Sequence, residues 1–298
     1  MTVAGLLMTG LTFIACSQDD APETTAQQPR ALNVTVGDQG FEPAGGSATR
    51  TPITYSGITT TFKSGDEIGI YVVRNGGYVD RTHQDADPMV NKRFRFDGQG
   101  WREVYMDNNV EKTRELLYYE GAIYFAYFPY IASEPQAPNP QAAALSGVSS
   151  KDDLSASDLI EKADAFFADK IRVWHPVHDQ STHDLYASQD LMVAMGKIGS
   201  DNSSLNFTLV HKMALVELNL IANLQQNASD ATYRIANYKP WNITGTLNRL
   251  LVKPDTEYYI TGARYKSGTT KDGTWELYIP ASGTGSLQYN KYVTYTPQ

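Results

Sequence analysis

The chain has 298 residues, 41% hydrophobic and 19% charged, with 19 Tyr, 23 Gly and a formal net charge of −8. That length accommodates two domains able to bury cores without metal or disulfide staples, and Tyr with Gly lean toward strands and turns, so an all-β class is expected. The acidity and the lack of any basic run exclude a polyanion-binding role, which draws its affinity from clustered Lys and Arg, and no nucleic acid is expected as a partner.

The single cysteine, Cys16, ends the one long apolar stretch, residues 3–15. One cysteine forms no intramolecular disulfide, and a mostly apolar stretch of 13 residues suits a signal-peptide core but falls short of a bilayer span. Phe13-Ile14-Ala15-Cys16 resembles a bacterial lipobox, with Cys16 as the lipidated residue and 1–15 as the signal peptide. No Lys or Arg precedes the apolar core, which points to a true start a few residues upstream. Residues 16–30, polar and rich in Pro, Thr and Gln, read as a flexible tether, and acidic Asp19 and Asp20 just after Cys16 resemble a surface-export signal.

Beyond the tether, short runs alternate apolar and polar residues, the pattern of half-buried antiparallel strands. Leu32, Val34 and Val36 make the first; Ile68, Ile70 and Val72 another, between turn-forming Ser64-Gly65-Asp66 and Asn75-Gly76-Gly77. Ile123, Phe125 and Tyr127 come next, with Pro129 ending the run. Residues 132–150 read as a long surface loop. One helix is predicted over 158–170, with Asp158 and Glu161 as a capping box and Leu159, Ala163, Phe166 and Phe167 on its apolar side. Strands resume at Leu205, Phe207 and Leu209 and at 214–220, then near 258–260, 275–279 and 289–295. These imply two β-sandwich domains, 31–201 and 202–298, the second either complete or truncated, with one short helix inserted in the first; the boundary could fall as late as Asn227.

No catalytic constellation emerges: there is no nucleophile elbow, no phosphate-cradling Gly-rich loop and no second cysteine for a thiolate site. His175, His178 and His183 with Asp179 and Asp184 are the densest potential metal ligands, but their spacing fits no metal motif and their setting suggests a loop. His211 opens a strand and reads as a histidine held by a neighbouring carboxylate or carbonyl. Asp152-Asp153 reads as solvated surface. Tyr118, Tyr119, Tyr124, Tyr127, Phe128 and Tyr130 could stack on a sugar, but alternating strand aromatics are mostly core. Neither an enzyme nor a metal or other cofactor is expected.

Several segments in order resemble the fimbrillin-like family of Bacteroides-type fimbrial lipoproteins. They are Thr61-Phe62-Lys63-Ser64-Gly65-Asp66-Glu67-Ile68-Gly69-Ile70-Tyr71, Tyr124-Phe125-Ala126-Tyr127-Phe128-Pro129-Tyr130, Asp179-Gln180-Ser181, Asp190-Leu191-Met192-Val193-Ala194, and Phe207 with His211-Lys212-Met213-Ala214-Leu215-Val216-Glu217-Leu218 after it. The resemblance implies two transthyretin-like or immunoglobulin-like β-sandwich domains and a structural or adhesive pilus subunit, exposed on the outer membrane through its lipid anchor. It also implies an arginine-specific protease that removes the N-terminal strand, so that other fimbrial subunits join by strand exchange. Host or bacterial surface ligands are further partners of such proteins. On this chain the candidate removable strand carries Leu32, Val34 and Val36, and the candidate processing site is Arg50, after the Gly45-Gly46-Ser47-Ala48 linker. A surface-loop arginine is the bland alternative for Arg50, and Arg30 is a weaker second candidate because a cut there leaves the strand in place. Without a cut, the filled groove implies an anchor or terminating subunit. The stretch after Ser203 is short for the family, which implies either truncation or a last strand that is itself the donor. From a different class, a surface glycan-binding lipoprotein of a nutrient-uptake system shares the leader and the sandwiches but requires coplanar exposed aromatics.

Overall fold

A computed structural model describes residues 30–43, 58–81, 87–133, 137–141, 143–219, 234–235, 239–243, 247–254, 258–265, 271–279 and 291–295. The leader, Cys16 and Arg50 lie outside the described residues.

In chain order the strands are β1 Ala31–Asp38, β2 Glu42–Pro43, β3 Glu67–Arg74, β4 Gly77–Tyr78, β5 Lys92–Phe96, β6 Trp101–Asp107, β7 Val110–Arg114, β8 Leu116–Leu117 and β9 Ile123–Phe128. Three short helices come next: α1 Ala156–Phe166, α2 Ala168–Val173 and α3 His183–Ala187. The chain then runs through β10 Met192–Met195, β11 Lys197–Ile198, β12 Ser204–His211, β13 Ala214–Asn219, β14 Arg234–Ile235, β15 Trp241–Asn242, β16 Leu247–Val252, β17 Tyr258–Tyr265, β18 Lys271–Ile279 and β19 Lys291–Tyr295. The all-β expectation stands, with three helices in the described residues where one was expected. Ser155, not Asp158, caps α1: its side chain accepts from the Asp158 backbone, and Asp158 returns the bond. The capping box is therefore set three residues earlier than expected, because Ser155 has the extended backbone a cap requires and Asp158 lies inside the helix. The apolar run that suggested one helix to 170 is broken at Phe167, between α1 and α2.

The first sheet has 11 strands, ordered β7-β6-β5-β3-β9-β10-β12-β1-β8, with β11 on β12 and β4 on β3. It curls on itself, so that Leu32 and Val34 from one end share a core with Ile68, Ile70, Phe94, Trp101 and Tyr124 from the other. Central strands β3 and β9 are buried on both faces rather than one. Their second face carries Tyr71, Val73, Phe125 and Tyr127, which pack against Phe166 and Phe167 of the helical segment. Gly69 leaves the space this packing needs: a Cβ there would lie 2.7 Å from Asn91 Oδ1 and collide with the Tyr127 ring.

Sheet membership changes after His211, at Lys212 and Met213, between 201/202 and Asn227, the earliest and latest positions expected for a domain boundary. The polar cluster 199–203 suggests a domain boundary just ahead of the strand 204–211; in space that strand completes the first sheet beside β1. Then β13 enters a five-stranded sheet ordered β15-β16-β13-β19-β2, and a three-stranded sheet holds β14, β17 and β18. The run near 289–295 contributes β19 to the five-stranded sheet, parallel to β13 and β2.

Candidate functional site

β1 differs from a hairpin strand in the way it is tied to its sheet. Its main partner, β12, is parallel and remote in sequence, with six residue pairs from Asn33↔Ser204 to Asp38↔Leu209. Its other side meets only β8, through Ala31↔Leu117 and Leu32↔Leu116. Residues 33–38 are thus laddered on one side among the described residues. Parallel strands need a long connection in any case, and here it runs from residue 39 to residue 203.

Side chains of β1 alternate as the pattern Leu32, Val34, Val36 requires. Leu32 and Val34 are 1% and 3% exposed, Val36 is half-buried against the same core, and Ala31, Asn33 and Thr35 face outward. Thr35 donates to Asn206 across the ladder, and the Arg30 guanidinium donates to Asp201 O at 2.9 Å, fixing the strand's start. Beside β1, between α1 and the outer face of β12, a cavity of about 690 Å³ is lined by Asp38, Leu159, Val193, Thr208 and Val210.

At the C-terminal end of β1 the chemistry becomes ionic. Asp38 Oδ2 accepts from His211 Nε2 at 2.9 Å and from the Thr60 backbone N–H at 2.8 Å. Asp190 Oδ1 lies 2.9 Å from Nδ1 on the opposite edge of the same ring. Phe41 stacks on the imidazole with centroids 3.8 Å apart. The histidine is fully buried. Burial lowers its pKa, but the charge and hydrogen bond of Asp190, with those of Asp38, outweigh that loss and raise it to about 9. At neutral pH the group is an imidazolium clamped between two carboxylates. The expected kind of partner for His211 was correct; the identities were hidden, because Asp38 is remote in sequence and only the parallel pairing of β1 brings it there.

Past Asp38 the same segment leaves the first sheet for the second. Gln39 N donates to Leu209 O at 2.8 Å, Phe41 N to Ile58 O at 3.0 Å, and β2 pairs with β19, where Lys291 and Glu42 form an ion pair. Residues 30–43 therefore bind both sheets.

Other expected sites are not assembled. His175, His178 and His183 are exposed, and among the described residues no three His, Cys, Asp or Glu side chains converge as a metal site would require. His183 bonds to Asp184 and packs edge-on to Trp241. Tyr124, Tyr127 and Phe128 are buried, while Tyr118, Tyr119 and Tyr130 are half-buried, so these six offer no open stacking face. Asp152 and Asp153 are exposed; the first binds Ser149, the second Lys197. Sequence reasoning missed Gln180, which is fully buried. Its Nε2 donates to Leu251 O at 2.9 Å and its Oε1 accepts from Leu251 N at 2.9 Å, so its amide stands in for a ladder partner of β16.

The sequence profile of the fimbrillin-like family matches residues 49–297. The chain is 31% identical over 228 residues to the candidate fimbrium tip subunit Fim1C of Bacteroides ovatus, covering 74% of this chain and 34% of that protein. A crystal structure of a fimbrial protein from Bacteroides ovatus superposes with a TM-score of 0.58 at 22% identity, over 90% of this chain and 48% of the other. The chain thus spans about a third of the curated relative and about half of the solved one. With the family profile covering most of its length, this chain belongs to the fimbrillin-like family.

Proposed function

We propose that the chain is a structural or adhesive subunit of a cell-surface fimbria, not an enzyme, exported as a lipoprotein through Cys16 and held at the outer membrane. A cut after Arg50 by an arginine-specific protease frees the segment carrying β1, and an extended strand of another subunit takes its place beside β12. The observation that supports this reading is the attachment of β1. It is core-forming through Leu32 and Val34, yet it is held along most of its length by one parallel ladder and is continuous with the body only through residues 44–57. An unpaired edge above an open apolar groove is a template for strand addition: the incoming backbone supplies ladder hydrogen bonds, and alternate side chains fill the pockets. Arg30 is a poor processing site by the same geometry, since it precedes β1. The glycan-binding alternative gains nothing from the aromatic residues singled out for it, which serve the core.

The test is limited digestion of the full chain, produced without lipid, by an arginine-specific protease, with mass spectrometry and size-exclusion chromatography of the products. A single cut after Arg50, loss of the N-terminal piece and concentration-dependent oligomers are expected. Resistance at Arg50, or a body that loses the piece and stays monomeric, contradicts the strand-exchange role.

A further inference from the structure

We propose that His211 makes the groove selective for an acidic strand: whatever segment seats beside β12 must carry a carboxylate at the position of Asp38 and an aromatic ring three residues later. This rests on the reading of β1 as exchangeable and names the chemistry of its replacement.

Both groups that hold the Asp38 carboxylate belong to the body left behind. His211 is on β12 and Thr60 lies beyond the 44–57 connection. When the segment departs, the imidazole keeps Asp190 on Nδ1 but loses the acceptor for Nε2 and the stacked ring of Phe41, and the Thr60 amide loses its acceptor. A replacement strand with an apolar residue at that point would bury a charged N–H and a backbone N–H with nothing to accept them, which costs more than the hydrogen bonds themselves contribute. One with a lysine would set a cation against the imidazolium. The remaining charged groups nearby are engaged elsewhere: Lys212 faces Asp164, and Glu217 faces Arg249. The groove thus reads an extended pattern, with apolar residues at the positions of Leu32, Val34 and Val36, an acid at that of Asp38 and an aromatic at that of Phe41. That is the pattern Leu-x-Val-x-Val-x-Asp-x-x-Phe of residues 32–41, from which it is read. The chain's own run from 289 to 298, which was an expected candidate donor, contains no Asp or Glu and does not fit.

The test uses the full chain, produced without lipid, with a recognition site for a sequence-specific protease placed in residues 44–57 and a fluorophore on Cys16, the single cysteine. After cutting, release of the labelled segment is tracked while excess unlabelled peptide 30–43 competes. Asp38→Asn keeps the shape and removes the charge, and should speed release on the order of tenfold or more, as expected for loss of a buried charge-assisted pair. Raising the pH through about 9 should speed release of the native segment and leave the Asp38→Asn segment little changed. Val34→Ala should speed release equally at every pH. Equal release by the native and Asp38→Asn segments overturns the selectivity while leaving strand exchange intact. If neither segment is released, exchange itself fails, and the uncut chain decides the selectivity: Asp38→Asn should lower its melting temperature at pH 7 and flatten the pH dependence between 7 and 10. An unchanged melting temperature overturns the proposal there too.

Discussion

At the residue scale, His211 couples stability to pH. Its folded pKa of about 9 lies above the ordinary 6.5, so the charged form is favoured by folding. That contribution is fully present below about pH 6.5 and is lost as pH rises through about 9. We therefore expect the uncut chain to melt progressively lower from pH 7 to 10, and a His211→Gln variant to lose that slope; a slope unchanged by the substitution would assign it to other groups. Gly69 gives a steric counterpart. Because a Cβ there would run into Tyr127 and approach Asn91 Oδ1 to 2.7 Å, Gly69→Ala should cost about 1–3 kcal/mol by overpacking, read from urea denaturation midpoints. Neither effect was visible in the sequence. Gly69 stood in a familiar-looking segment, but what needs its missing side chain is a tyrosine on a neighbouring strand.

Among the elements, those with plain alternation were legible: β1, β3, β9, β12 and β13 fall where their apolar spacing put them. The hairpin region β5–β7 was not, because its residues are largely charged. Lys92-Arg93-Phe94-Arg95-Phe96 offers only two apolar residues and Val110-Glu111-Lys112-Thr113-Arg114 only one, yet they pair through charges across strands. Arg95 bonds Glu67 at 2.8 Å and Glu111 at 2.6 Å, and Arg114 reaches the buried Glu103 at 2.7 Å. Cross-strand ion pairs of this kind hold register without hydrophobic alternation. β1 itself lends the fold less than its burial suggests, since each buried aliphatic side chain is worth only about 1.5–3 kcal/mol and one ladder carries most of its backbone. Leu32→Ala should destabilise the uncut chain by about 2–4 kcal/mol in chemical denaturation. A change below about 0.5 kcal/mol would mean that its pocket closes without it.

Over the whole molecule, the 11-stranded and five-stranded sheets share one continuous apolar contact. Met213 and Leu215 come directly after the first sheet, and they and Leu251 pack in the same cluster as Phe125 and Phe167. Gln180 closes the joint from the helical side through its two bonds to Leu251. Gln180→Leu would leave the Leu251 N–H and C=O buried and unpaired, at about 1–3 kcal/mol each, and should lower the denaturation midpoint; no loss would show that the amide is dispensable. The joint was outside the reach of sequence reasoning because it links a loop glutamine to a strand far along the chain. The bridging path of residues 30–43 was hidden for the same reason, although the apolar face of β1 was plain. Removing that segment should therefore open an edge on β12 while leaving the central strands folded. Hydrogen exchange read by mass spectrometry tests this most directly. Once the segment has been cut free and removed, amides of β12 should lose protection, those of β9 should keep theirs, and added peptide 30–43 should restore β12. Unchanged protection of β12, or loss of protection throughout β9 as well, would contradict the claim that β1 is a separable strand.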